Sequence, residues 1–512
     1  MLKTESYKKG IIQSTALNIF TKFIAFFITI VIAFYLGANV ETDLYFYIFS
    51  TASLIAAVVN GLVVSVIIPE GMHLEEKVGH VAAMRFYNFF GLLFFALGFI
   101  LFLVLFFYSV PLFTAVSAFN SKVLNQHRYL LTISSALPFF LILSNYLTSV
   151  LTTLKYFTAP LIANGIAYIL ALVSLVIFHK IAGISAALTG LVAGYILNVI
   201  LLLAFMFVKL KWKFSSSIKD LSKRIKTNLL TVLLGSLASF AFNYGVIVLL
   251  ICLAPGTYSA YNYTMQVVNV PIVFIVTQTA AVAGIKFNEL ASRNLHIELN
   301  KIYQESIGLL LFLIIPFCFI TYLYADVIVN FLFLRGGFTT EAAHKVALFL
   351  KYMIFLVPCL TIDSFTSKII TAQKKVREAF YFQLGFNVVL FAILLVATRY
   401  YVEYGFIFSY LLVYYIYVCV AGIFLFRWLV PFIMYKNVLK SFAGIMLFNI
   451  PVIVIYYFIF GIHQPVPILI LITFAYYLII VIANHFIKIN RATSFHLSNI
   501  LKLKVFKPHN EN

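Results

Sequence analysis

Thr15–Leu36 reads TALNIFTKFIAFFITIVIAFYL, an apolar run broken by a single charge, Lys22. The hydrocarbon core of a bilayer is ~30 Å thick and a helix rises ~1.5 Å per residue, so ~20 mainly apolar residues suffice to cross it. This stretch meets that length, and the pattern recurs to Val466–Phe486, giving fourteen such windows in all. Composition agrees: of 512 residues 63% are hydrophobic, 17% aromatic and only 10% charged, too few polar side chains to cover a soluble globule. Runs this long, without period-two alternation, satisfy their backbone groups internally as helices and not as barrel strands. The expected fold class is therefore all-α, a polytopic integral membrane protein.

The formal charge of +20 raises the question of nucleic acid. Its placement argues against that partner, because most Lys and Arg fall on alternate connections. That is the positive-inside pattern, and it predicts a cell-membrane protein with both termini in the cytoplasm. The densest basic segment holds Lys209, Lys211, Lys213, Lys219, Lys223, Arg224 and Lys226, which we read as a topology anchor against anionic headgroups. The amino terminus runs into a full-length span without a small-residue cleavage site, so the first helix is expected to stay. Cys252, Cys318, Cys359 and Cys419 are isolated in apolar stretches and carry no metal or disulfide spacing.

The basic connection follows the sixth window. It divides the chain into an N-terminal six-helix lobe (1–208), a linker (209–227), a second six-helix lobe (228–430) and a C-terminal helix pair with a basic tail (431–512). Gly190 and Gly194 have the small-residue spacing that lets helices approach closely. No phosphate-cradling loop, zinc-protease motif or nucleophile elbow occurs, and no hydrophilic segment is large enough for an ATPase domain. The sequence thus predicts a transporter and not an enzyme, with no cofactor.

Polar residues inside the spans are the candidate functional groups. A charge at mid-bilayer costs ~2.5–3.5 kcal/mol on insertion scales, so each one needs a partner, cavity water or a task. Lys22 in the first span and Asp363 in the tenth are such charges. Asn60, Asn243, Asn262, Gln266 and Asn269 are neutral counterparts, and the last three follow i, i+4, i+7 along one helical stripe. Such a stripe hydrogen-bonds either sugars or neighbouring helices.

Three stretches are similar to one family. GANVETD (Gly37–Asp43), followed by Asn60, Gly61 and Pro69, resembles the opening of the lipid II flippase family of MurJ/MviN type. GTYSAYNYTMQVVNVP (Gly256–Pro271) resembles its seventh-to-eighth helix turn. VNFLFLRGGF (Val329–Phe338), with the later TAQKKVREAF, resembles its ninth-to-eleventh helix region. The resemblance covers essentially the whole chain. It implies the superfamily that also holds polysaccharide-unit flippases and multidrug exporters, with two six-helix lobes working by alternating access.

It further implies a cavity in which arginines hold a diphosphate. Lys22 keeps a cation where the family has one, whereas Ile28, Ala57 and Gln266 stand where arginine is expected. Asn60 and Asn269 stand where glutamate is common, and Asp43 matches the acid of the outer turn. A diphosphate is costly to bury without paired cations, so this amide-rich set predicts a relative that moves another lipid-linked glycan and grips the sugar more than the phosphate. The expected cavity residues are Lys22, Asp43, Asn60, Asn243, Gln266 and Asn269, with Asp363 as the ion-coupling group for an unassigned cation. The expected activity is movement of a polyprenyl-diphosphate-linked saccharide, a peptidoglycan-type or surface-polysaccharide precursor, across the cytoplasmic membrane. Expected partners are that lipid-linked glycan, membrane lipids and glycan-synthesis proteins. The rival readings are a multidrug-type exporter of the same superfamily and a non-transporting scaffold for envelope synthesis.

Overall fold

The computed structural model describes residues 7–213, 223–461 and 465–487, and among these every regular element is helical. The long helices are α1 (Tyr7–Leu36), α2 (Val40–Val78), α3 (His80–Val116), α4 (Arg128–Thr153), α5 (Thr158–Ala182), α6 (Ile184–Lys209) and α7 (Lys223–Ile251). Then come α8 (Thr257–Ser292), α9 (His296–Leu323), α10 (Thr340–Met353 and Leu356–Ala372, bent by 49°), α11 (Arg377–Leu429), α12 (Tyr435–Phe460) and α13 (Val466–Ile487). Among the described residues eleven helices are long and apolar enough to cross a membrane, and the bent pair of α10 makes twelve.

The fourteen windows fit this set. At 53 residues α11 has a contour of ~80 Å, too long for one crossing. It holds two of the expected windows, which part at Val402, where the backbone leaves helical geometry (φ 50°, ψ −128°). The last window falls on the shorter apolar helix Pro467–Ile482 within α13.

Several passes contain one widened turn. Five-residue π turns lie at Val63–Ile67 in α2, Phe205–Lys209 in α6, Ile272–Val276 in α8 and Tyr417–Ala421 in α11. Pro271 directly precedes the third. Proline has no amide hydrogen and its ring crowds the carbonyl one turn back, so a widened turn nearby lets the helix continue through the break.

The helices gather into two compact units, residues 1–262 with 335–342, and residues 263–334 with 343–512. This division falls later than the basic connection because α7 packs along α2. The central stretch of that connection, residues 214–222, the Lys219 position included, lies outside the described residues, as do residues 488–512 of the basic tail. In the first unit α6 packs on α5 through the small-residue face: a Cβ on Gly194 would sit 2.5 Å from the Ala167 carbonyl oxygen. Asn198 donates to Asn164 across the same interface at 2.9 Å. In the second unit α9 packs on α12 and on α10, and α8 packs on α10.

Candidate functional site

The three family-like stretches contribute to one knot of backbone in the first unit. Leu36 ends α1, and Gly37 turns the chain with φ 71°, a left-handed conformation in which an L side chain is strained. A Cβ there would also stand 2.6 Å from the Gly337 carbonyl oxygen, and the Gly337 amide in turn donates to the Phe34 carbonyl at 2.7 Å. Asn39 then opens α2. Its side chain accepts from the amides of Glu41 and Thr42 (2.9 and 3.1 Å), and the Thr42 hydroxyl accepts from the Asn39 amide at 2.8 Å. This is a reciprocal cap that satisfies donors a helix start otherwise leaves open.

Asp43 follows one residue on, only 3% exposed. Oδ2 accepts from the Gly256 amide at 2.6 Å, and Oδ1 accepts from both the amide and the hydroxyl of Ser259, each at 2.6 Å. Those amides belong to the first turn of α8. An anion held by unpaired N–H groups at the positive end of a helix dipole is strongly favoured, so Asp43 caps α8 from another helix. Gly256 makes the approach feasible, with φ 81° and no Cβ to strike the Ala38 carbonyl, which would be 2.7 Å away. Both Asp43 oxygens are thus engaged inside the protein.

The other candidates of this unit differ in how far they are already satisfied. Lys22 is exposed on α1 beside the exposed Phe23, and among the described residues it has no ion pair or hydrogen-bond partner. Ile28, where a cation is expected from the resemblance, is buried, while Ala57 is exposed. Asn60 accepts from the Ser149 hydroxyl of α4 at 3.4 Å, a helix-to-helix bond. Asn243 is exposed on α7 and donates to the Ser239 carbonyl of its own helix at 2.8 Å.

In the second unit Gln266 and Asn269 are half-buried on α8, and among the described residues neither has a hydrogen-bond partner. Asn262, the first member of their stripe, belongs to the first unit and donates to the Tyr258 carbonyl at 2.8 Å. Asp363 is half-buried on α10, within hydrogen-bonding reach of the Tyr417 phenol. Tyr417 lies in the π turn of α11 and donates to Gln383 at 3.4 Å. The structure therefore sorts the set: Lys22, Gln266 and Asn269 keep polar groups available, whereas Asp43, Asn60 and Asn243 use part or all of theirs.

Some polar groups escaped the sequence reading. Lys351 pairs with Asp326 at 2.7 Å and Lys345 with Glu403 at 3.6 Å, which gives two of the helix-borne cations defined partners. The hydroxyls of Tyr47 and Tyr244 meet at 2.8 Å where α2 and α7 pack, beside a cavity of about 330 Å³. Nothing in the sequence marks these pairs, because each joins residues far apart along the chain.

The family described as lipid II flippase MurJ matches residues 32–477. The chain belongs to the lipid II flippase MurJ family. A curated relative, a probable lipid II flippase MurJ of Borreliella burgdorferi, is 23% identical over 399 residues, covering 75% of this chain and 76% of the relative. Among solved structures, one of lipid II flippase MurJ in an inward closed conformation aligns with TM-score 0.73 and 18% identity, over 94% of this chain and all of that one. An inward-facing MATE-family multidrug resistance transporter of the MOP superfamily aligns with TM-score 0.61 and 14% identity, over 83% of this chain and 96% of its own. The family match and the MurJ-like fold bear out the expected family and fold class, and the chain is a multi-pass membrane protein of a flippase family.

Proposed function

We infer that this protein flips a polyprenyl-diphosphate-linked saccharide precursor from one leaflet of the membrane to the other by alternating access. The observation that carries the reading is the MurJ family match over nearly all the membrane-spanning chain. The lack of a hydrophilic segment large enough for nucleotide hydrolysis in the sequence favours drive by the membrane potential or a cation gradient. The alternation of basic connections supports an orientation with both termini in the cytoplasm, so that cargo leaves the inner leaflet.

Within this reading Lys22 contacts the diphosphate, since it is an exposed cation in the apolar run 15–36 and has no ion pair or hydrogen-bond partner among the described residues. Gln266 and Asn269 offer amides one turn apart that are unpaired among the described residues and suit sugar hydroxyls, with Asn60 and Asn243 as weaker contributors because they already bond within the protein. Asp43 acts by fixing the start of α8 and not by touching cargo. Asp363 is the group we assign to coupling with a cation. The transport itself needs no cofactor in this scheme.

Depletion of the protein, followed by chemical identification of the lipid-linked precursor that accumulates, tests the reading. Accumulation of a polyprenyl-diphosphate saccharide on the inner leaflet is the expected result. Unchanged precursor pools, or acquired drug tolerance on overproduction alone, would transfer the assignment to a multidrug-type exporter.

A further inference from the structure

An apolar groove of about 590 Å³ runs along the first unit between α3, α4 and α6. Its walls include Phe95 and Phe99 of α3, Phe139 and Leu143 of α4, and Ile200 and Phe207 of α6. Phe95, Phe99, Ile200 and Phe207 are each more than two-fifths exposed, so the groove opens outward from this unit. From Asn88 to Phe99 it follows α3 for ~16 Å, which suits a chain better than a compact molecule. Its volume lies within the ~300–1,000 Å³ typical of ligand sites.

One end of the groove differs from the rest. After the π turn Phe205–Lys209 the chain reverses at Lys211, which takes a left-handed conformation (φ 51°). This folds Trp212 back against α3, where its indole N–H donates to Asn88 Oδ1 at 2.7 Å, while the Asn88 amide donates to the Lys213 carbonyl at 2.7 Å. Trp212 and Asn88 are both 5% exposed, so this node is a fixed cap on the end of the groove. The same reversal leaves the side chains of Lys211 and Lys213 exposed on either side of the buried indole. The sequence K-W-K thus builds a dry anchor flanked by two cations, at the end of an elongated apolar slot.

We propose that this groove binds one anionic bilayer phospholipid, with an acyl chain along α3, α4 and α6 and the headgroup phosphate between Lys211 and Lys213. The slot supplies the apolar contact, the lysines supply the charge complement, and the buried Trp212 closes the end of the slot next to them. The site belongs to the first unit alone and is separate from the residues assigned to cargo.

The test is native mass spectrometry of the full chain in a neutral detergent, titrated with phosphatidylglycerol or phosphatidylcholine of equal chain length. One phosphatidylglycerol per chain should be retained roughly tenfold more strongly than phosphatidylcholine, in keeping with two lysines near a headgroup. Lys211→Glu with Lys213→Glu should bring the two lipids within about twofold, and Ile200→Trp, which fills the slot from an exposed position, should abolish the one-to-one species for both. Equal retention of the two lipids overturns the proposal, as does unchanged selectivity in the double-lysine variant. Displacement of phosphatidylglycerol by an equimolar polyprenyl phosphate also overturns it, because the slot would then be a cargo site.

Discussion

Asp43 in the first unit and Asp363 in the second are both acids within largely apolar helices, yet their surroundings are opposite. Asp43 is sealed, and donors at 2.6 Å engage both of its oxygens. Asp363 is half-buried beside a phenol that also serves Gln383. A carboxylate surrounded by main-chain amides of a helix start is a structural cap, because those donors are fixed and favour the anion in every state that keeps the contact. A carboxylate beside one adaptable hydroxyl, next to a widened helical turn, retains capacity for an exchanging partner. The residue type alone does not decide the role of an acid in a membrane protein; the supply of donors does.

The contrast is most directly broken at Asp43. Asp43→Asn keeps the shape, removes the charge and turns an amide N–H₂ toward backbone donors, so thermal unfolding in detergent should show a loss of about 3 kcal/mol, the scale of charge-assisted bonds lost in a buried place. A loss below about 0.5 kcal/mol would remove the capping role. Next in size are Gly37→Ala and Gly256→Ala. Each forces a left-handed L residue and a carbonyl contact, and each should cost about 1–2 kcal/mol in the same measurement.

Lys22 sharpens the comparison from the cationic side, since among the described residues it has no partner to lose. Lys22→Ala should leave the unfolding temperature unchanged and lower flipping in a reconstituted assay by about tenfold, the scale of one charged contact to phosphate. Full activity at normal protein levels would sink the assigned contact. Asp363→Asn should cost under about 1 kcal/mol of stability, well below Asp43→Asn, while removing the response of flipping to an imposed cation gradient. If instead it destabilises as much as Asp43→Asn, the two acids are alike and the contrast fails.

Much of the fold was legible because apolar run length is a one-dimensional signal. Thr15–Leu36 and the windows after it reappear as helices, and the small-residue pair at Gly190 and Gly194 reappears as a close helix contact. The bend within α10 and the break at Val402 were not legible, since hydropathy does not record dihedral angles. The three motifs in GANVETD, GTYSAYN and LRGGF were visible singly, but their convergence was not. Glycine spacing does not say which carbonyl lies opposite, and the donors to Asp43 come from a turn far along the chain. For the same reason the pairing of Lys345 with Glu403 and of Lys351 with Asp326 left no trace in the sequence. Lys22, Gln266 and Asn269 stood out by polarity, and the structure adds which of the polar candidates are already occupied.

The Asp43 cap has a consequence for how this protein tolerates change. Its donors include the main-chain amides of Gly256 and Ser259, a group that any residue but proline supplies. Substitutions in the opening turn of α8 therefore leave those two bonds in place, provided the glycine at 256 stays and proline is avoided. The acid itself has no such freedom. A pairing of this kind leaves no compensating exchange between positions, so a deep mutational scan should record at 43 an acid that tolerates no substitute, asparagine included.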